Sequence, residues 1–95
     1  THLTKLPKGI ETCEKLERIS LSYCDLLTVD LIAPLQALEL LDVHENPNLT
    51  VISNQTMLNT PKLMVFAAAC TAIDKRTMDG LKNLHPSKDL NVVHF

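Results

Sequence analysis

The stretch Leu16-Glu17-Arg18-Ile19-Ser20-Leu21-Ser22-Tyr23-Cys24-Asp25-Leu26 decides the fold of this chain. Its apolar residues follow the spacing Leu-x-x-Ile-x-Leu, and two more apolar residues stand at the ninth and eleventh places. On a short strand, Ile19 and Leu21 point to the same face, while Ser20 between them points to the other. The stretch therefore predicts a short strand that buries one face and exposes the opposite one.

The same spacing returns three more times along the chain. The second copy is Leu38, Leu41, Val43, Asn46 and Leu49, the third is Leu63, Phe66, Ala68, Thr71 and Ile73, and the fourth is Leu90, Val93 and Phe95. The first leucines of successive copies lie 22, 25 and 27 residues apart. Because such steps are typical of coils that stack strand upon strand, we predict parallel strands near residues 18–22, 40–44, 65–69 and 92–95.

The ninth position of the first three copies holds Cys24, Asn46 and Thr71. The chain turns inward there, and a side chain that bonds to its own loop is favoured, usually Asn. The run Leu3-Thr4-Lys5-Leu6-Pro7-Lys8-Gly9-Ile10 resembles one found in many leucine-rich repeats, chiefly intracellular ones. Nearly the whole chain is similar to this family. The resemblance implies an α/β leucine-rich repeat solenoid, a horseshoe segment with a short parallel sheet on its concave face and short helices or turns on its convex face.

The length of 95 residues corresponds to a single repeat domain, residues 1–95, of about three to four repeats. Repeats contact only their neighbours, and terminal repeats normally carry polar caps. Here the last strand ends on the apolar residues Val93 and Phe95. We therefore expect a longer parent chain that supplies further repeats or caps.

The connecting segments predict short helices or turns on the convex side. Residues 7–16 are a candidate first turn, and residues 29–37 allow a turn or two. Residues 54–59 predict one helical turn. The longest predicted helix spans residues 74–84 and ends before Pro86.

Composition and motifs argue against several classes of function. The net charge is −2, no basic run occurs and no Trp is present, so we expect no nucleic-acid partner. No stretch approaches about 18 uninterrupted apolar residues, so we expect no membrane span. Cys70 near His44 and Glu45 superficially suggests a thiol with a base. Sheet neighbours of this kind arise in any solenoid, so we expect no catalytic residue, cofactor or small-molecule substrate.

Histidines and cysteines receive structural interpretations. His44 and His94 fall on strands that are two apart, which argues against a shared metal ion. His85, like His2, is expected to be a solvated loop residue. Cys13 is interpreted as a small core residue. None of these residues is expected to bind a metal.

The compartment is argued from cysteine and asparagine motifs. Cys24 and Cys70 are predicted to lie two coils apart, roughly 10 Å and beyond disulfide reach. A reducing, cytoplasmic setting is therefore favoured. The sequons Asn48-Leu49-Thr50 and Asn54-Gln55-Thr56 leave an extracellular location open.

The outward residues of the strands form the predicted binding surface. One predicted column is Arg18, Leu40, Val65 and Val92, and the next is Ser20, Asp42, Ala67 and His94. Apolar residues at exposed positions of adjacent strands mark an interaction surface, and nearby carboxylates can steer a basic partner. The predicted protein-binding residues are Arg18, Tyr23, Glu39, Leu40, Asp42, His44, Glu45, Val65, Ala67, Val92 and His94.

Two functional hypotheses use this surface. In the first, the chain is a protein-binding module or scaffold that presents the concave face to a protein partner. In the second, it is a regulatory or targeting segment of a larger signalling enzyme or immune-type receptor whose catalytic domain lies outside these residues. Intramolecular cover of the same face is a further alternative. The repeat pattern does not decide among them, because it encodes a coil and not a function.

Overall fold

The computed structural model of the protein describes residues 4–94, apart from the side chains of Lys8 and Glu11. Its elements are a 3-10 helix (Lys8–Thr12), β1 (Arg18–Ser20), β2 (Thr28–Val29), β3 (Leu40–Asp42), β4 (Val51–Ile52), α1 (Asn54–Leu58), β5 (Val65–Ala67), α2 (Lys75–Leu84) and β6 (Asn91–Val93). These elements form a small α/β domain with short helices. The predicted fold class is confirmed at that level.

Four of the strands form one parallel sheet in the order β1-β3-β5-β6, so each of these strands lies beside the next along the chain. Strands β1, β3 and β5 begin at residues 18, 40 and 65, where the apolar spacing places them. Strands β2 and β4 form a second, two-stranded parallel sheet that the sequence did not predict. Its two short strands follow the first and second copies of the pattern.

The buried side of the four-stranded sheet carries the predicted inward residues. Ile19 pairs with Leu41, and Leu41 pairs with Phe66, through the middle of the sheet. All three side chains are buried and belong to one apolar core. Ala68, two residues beyond Phe66, is also buried. On this side of the sheet the large ring of Phe66 therefore lies two residues before a small inward residue.

Strand β6 lies one residue out of the predicted register. Asn91 pairs with Val65, and Val92 pairs with Phe66 and packs against the core. In the first three copies two residues separate the leucine from the next inward residue, but only Asn91 separates Leu90 from Val92. The two predicted columns, which ended in Val92 and in His94, are therefore wrong for this strand, whose outward residues are Asn91 and Val93. The part of the prediction that concerns Phe95 lies outside the described residues.

The turns after β1, β3 and β5 share one backbone conformation. Tyr23, Glu45 and Cys70 have φ angles of 56°, 58° and 58°, in the left-handed region that residues other than glycine rarely adopt. Each stands immediately before the ninth residue of its copy. The three segments therefore turn inward in the same way, although their sequences differ at this point.

The ninth residues bond to their own turns as predicted. Asn46 Nδ2 donates to the Val43 carbonyl at 2.8 Å, and Thr71 Oγ1 donates to the Ala68 carbonyl at 2.9 Å, which is also three residues back. Cys24 Sγ lies 3.6 Å from the Ser22 carbonyl. Asn46 and Thr71 also form an isolated parallel bridge. These residues close equivalent turns with donors of different strength.

The helices begin at polar caps. The Ser53 side chain accepts the amide of Thr56 at the start of α1, and Asp74 accepts the amide of Thr77 at the start of α2. The hydrogen bonds from Thr77 hold the pKa of Asp74 below its ordinary value. Residues 29–37 contain no helix, because β2 and turns occupy this segment. In residues 7–16 the structure has the five-residue 3-10 helix.

Two side chains lie elsewhere than predicted. Cys13 is exposed at the end of the 3-10 helix rather than in the core. His85 is buried, with Nε2 donating to the Thr60 carbonyl at 2.7 Å and Nδ1 accepting the Ser87 amide at 3.0 Å. His85 therefore links α2 to the segment after α1, and His2 lies outside the described residues.

Candidate functional site: the exposed face of the parallel sheet

The candidate site is the outward side of the four-stranded sheet, which we call the sheet face. Strand pairing places Arg18, Leu40, Val65 and Asn91 in one column and Ser20, Asp42, Ala67 and Val93 in the next. Backbone hydrogen bonds extend the columns beyond the strands, from the Tyr23 amide to the His44 carbonyl and from the Glu45 amide to the Ala69 carbonyl. The face therefore continues into the three turns.

The line of residues along β5 is uncharged. It consists of Met64, Val65, Ala67, Ala69 and Cys70. Met64 is 59 % exposed, and Val65 and Ala67 are partly exposed. We call these five residues the β5 line. Ala69 is buried, but Met64, Val65 and Ala67 place apolar atoms in water next to the charged neighbouring strand, which is the feature that marks an interaction surface.

The line along β3 carries most of the charge of the sheet face. It consists of Glu39, Leu40, Asp42, His44 and Glu45, which we call the β3 line. Asp42 Oδ1 accepts the His44 amide at 3.1 Å and the His44 Nδ1 proton at 2.5 Å. The His44 ring also meets the Tyr23 ring edge to face, with centroids 5.4 Å apart. These contacts hold His44 between an acceptor and an aromatic ring that is 70 % exposed.

The thiol of Cys70 and the carboxylate of Glu45 meet across neighbouring turns. A hydrogen bond to Glu45, together with its negative charge, raises the pKa of the Cys70 thiol above its ordinary value. The thiolate is the nucleophilic form of cysteine. Cys70 is thus exposed, and its neighbour Glu45 favours the less reactive protonated form of the thiol.

Glu45→Gln is expected to increase the rate at which iodoacetamide alkylates Cys70 at pH 8. The substitution removes the charge that disfavours the thiolate, so the pKa of Cys70 falls and more thiolate is present at that pH. The rate is measured by mass spectrometry of the Cys70 peptide, with exposed Cys13 as an internal reference. An unchanged ratio of the two rates would show that Glu45 does not control this thiol.

Most of the predicted binding residues share the sheet face. Those brought together are Arg18, Tyr23, Glu39, Leu40, Asp42, His44, Glu45, Val65 and Ala67. Val92 and His94 are not among them, because they line a groove of about 420 Å³ with Lys75, Met78, Asp79 and Lys82 of α2. His94 Nε2 donates there to the Ile73 carbonyl at 2.7 Å. Val93 was not predicted to face outward. Val92 and Val93 are adjacent and identical, so the sequence does not show which of them faces the core.

The two sequons differ in their surroundings. Asn48 and Thr50 of the first are exposed. Thr56 of the second is buried, and its Oγ1 accepts the Leu31 amide at 3.1 Å and lies 3.3 Å from the Val29 carbonyl. The threonine of the second sequon therefore has a structural role that accounts for its presence.

Neither a metal-binding cluster nor a membrane-spanning helix is found among the described residues. Residues 4–94 contain no group of three or more His, Cys, Asp or Glu side chains arranged to hold a metal ion. In the same part of the chain, no helix has the length and apolar character needed to cross a membrane.

No protein family, no curated protein and no solved structure matches this chain.

Proposed function

We propose that the chain is a leucine-rich repeat solenoid whose sheet face binds a protein partner. Support for the repeat comes from the three turns, which share left-handed residues at equivalent places before Cys24, Asn46 and Thr71. The order of the parallel strands, each beside the next, also supports it. Both features recur at the spacing of the Leu-x-x-Leu-x-Leu pattern.

The observation that carries the binding function is the exposure of apolar side chains in the middle of the sheet face. Leu40 pairs with Val65, both are partly exposed, and Met64 lies directly beside them. Residues on a rigid sheet need little ordering when they bind, so less conformational entropy opposes association. The surrounding carboxylates add electrostatic selectivity for a partner. A protein surface is the ligand that fits this combination of exposed apolar and acidic side chains.

The test is affinity capture from cell extract with the folded protein as bait. The double variant Leu40→Arg, Val65→Arg places two cations on the apolar centre of the sheet face and is expected to lose the partner. The matched control is Ile32→Arg, Leu58→Arg, which makes the same change at exposed apolar residues outside the four-stranded sheet. This control is expected to retain the partner.

Circular dichroism must first show that both double variants are folded. A partner lost equally from the two variants would contradict the proposal, because the sheet face would then be no more important than the rest of the surface. Capture that is unaffected by Leu40→Arg, Val65→Arg would place the partner on another surface.

A further inference from the structure

Charge on the sheet face is divided between neighbouring strands. The β3 line carries three carboxylates, Glu39, Asp42 and Glu45, whereas the β5 line carries no charged side chain. The two lines are direct neighbours, since Leu40 pairs with Val65 and Asp42 with Ala67. The acidic β3 line and the apolar β5 line therefore run side by side along the two central strands of the sheet.

The spacing of the two lines suits a helix laid along them. Neighbouring strands lie about 4.8 Å apart, and a helix with its side chains is about 10 Å across. One helix can therefore cover the β3 line and the β5 line together. Ala67 and Ala69 have small side chains that extend little from the backbone of the β5 line. A helix can therefore approach the sheet closely there.

An extended segment fits the two lines less well. Successive side chains of a strand point to opposite sides, so those that face the sheet form a single row. An amphipathic helix instead presents an apolar stripe with polar residues on either side of it. Apolar residues can then contact the β5 line while cations on one flank meet the carboxylates of the β3 line.

We propose that the element bound by the sheet face is a basic amphipathic helix, lying along β3 and β5. Its apolar stripe contacts Met64, Val65 and Ala67, and its Lys or Arg side chains meet Glu39 and Glu45. This inference rests on the proposed function, because it names the chemistry of the protein partner at the same surface. The three carboxylates of the β3 line favour a partner that is positively charged.

The experiment uses three fluorescein-labelled peptides of about 14 residues, enough for a helix along the strands and their turns. The first is an amphipathic helix of leucine, alanine and lysine. The second replaces each lysine with glutamate, and the third replaces two central alanines of the first with prolines, which prevent a helix. Fluorescence anisotropy gives the Kd of each for the folded protein at low salt.

Two charge-matched variants test the position of the peptide. Glu39→Lys, Glu45→Lys reverses two carboxylates on the sheet face, and Asp30→Lys, Asp79→Lys makes the same change of net charge at exposed residues elsewhere. The lysine helix is expected to bind at least about ten-fold more weakly to the first variant and within about two-fold of wild type to the second. Circular dichroism of both variants establishes that they are folded.

The lysine helix must bind more tightly than the other two peptides. Absence of binding, equal binding of the proline peptide, or equal loss in the two charge variants would overturn the inference. Its failure is distinguishable from failure of the proposed function. If Leu40→Arg, Val65→Arg still abolishes partner capture, the sheet face binds protein but its ligand is not a basic helix.

Discussion

Asn46→Ala is expected to lower the free energy of unfolding by about 3 kcal/mol or more, because several buried polar groups lose their partners together. Asn46 is fully buried. Its Oδ1 accepts the Leu26 amide at 3.1 Å, and its Nδ2 lies 3.0 Å from the Leu21 carbonyl and 2.8 Å from the Val43 carbonyl. One side chain thus ties the turn after β3 to the turn after β1.

Urea denaturation followed by far-ultraviolet circular dichroism measures this loss. Asn48→Ala is the matched control, since Asn48 is exposed in the same loop and should change stability by less than about 0.5 kcal/mol. Asn46→Thr should fall between wild type and Asn46→Ala, because Thr71 makes the equivalent bond to its own turn. Equal stability of Asn46→Ala and Asn48→Ala would show that the side-chain network contributes little.

Phe66→Ala is expected to cost about 3 to 5 kcal/mol, the range for truncating a fully buried aromatic side chain. Phe66 lies in β5, paired with Leu41 on one side and Val92 on the other. Because Ala68, two residues further along the chain, supplies little volume on the same side of the sheet, nearby side chains cannot readily fill the cavity. A domain of this size has little free energy of unfolding in reserve, so the variant is expected to be largely unfolded at 37 °C.

The neighbouring residue provides the control for this truncation. Val65→Ala removes apolar atoms from the same strand but from its partly exposed side, and should cost less than about 1 kcal/mol. Thermal unfolding of both variants gives the comparison. A larger loss for Val65→Ala than for Phe66→Ala would mean that the two faces of β5 are exchanged.

The first three strands of the large sheet were predictable because the same three-residue step leads from Leu16, Leu38 and Leu63 to the inward residue of each strand. In β1 the polar residues Arg18 and Ser20 flank Ile19, so period-two alternation selects the same buried face there. The sheet face residues of β1, β3 and β5 follow directly from that choice. Helix α2 was predictable for a similar reason, since its apolar residues Met78 and Leu81 recur at helical spacing before Pro86.

The fourth strand was not predictable, because the sequence Leu90-Asn91-Val92-Val93 allows two phases. Both valines are apolar and β-branched, so neither alternation nor strand propensity decides which one faces inward. The backbone hydrogen bonds at the start of β6 differ from those at the start of β3 and β5. The Glu17 and Glu39 carbonyls each accept two amides from the next strand segment, while the Met64 carbonyl accepts that of Asn91. The shorter segment before β6 moves Val92 to the core side.

The second sheet and the burial of His85 required long-range contacts that no local pattern reports. Strands β2 and β4 have two residues each, too few for an alternation to be recognised. The buried ring of His85 bonds to the Thr60 carbonyl, which lies 25 residues earlier in the chain. Cys13 was assigned to the core from its apolar spacing, but the 3-10 helix rotates it outward.

The measurement that tests the central claim most directly is a calorimetric titration of the captured partner against the wild type and the two arginine double variants. Leu40→Arg, Val65→Arg is expected to raise Kd by at least about ten-fold, as substitutions at the centre of an interface do. Ile32→Arg, Leu58→Arg should leave Kd within about two-fold of wild type, because exposed residues outside an interface contribute little to affinity. If both folded variants bind with the affinity of the wild type, or if only Ile32→Arg, Leu58→Arg weakens binding, the sheet face is not the binding surface.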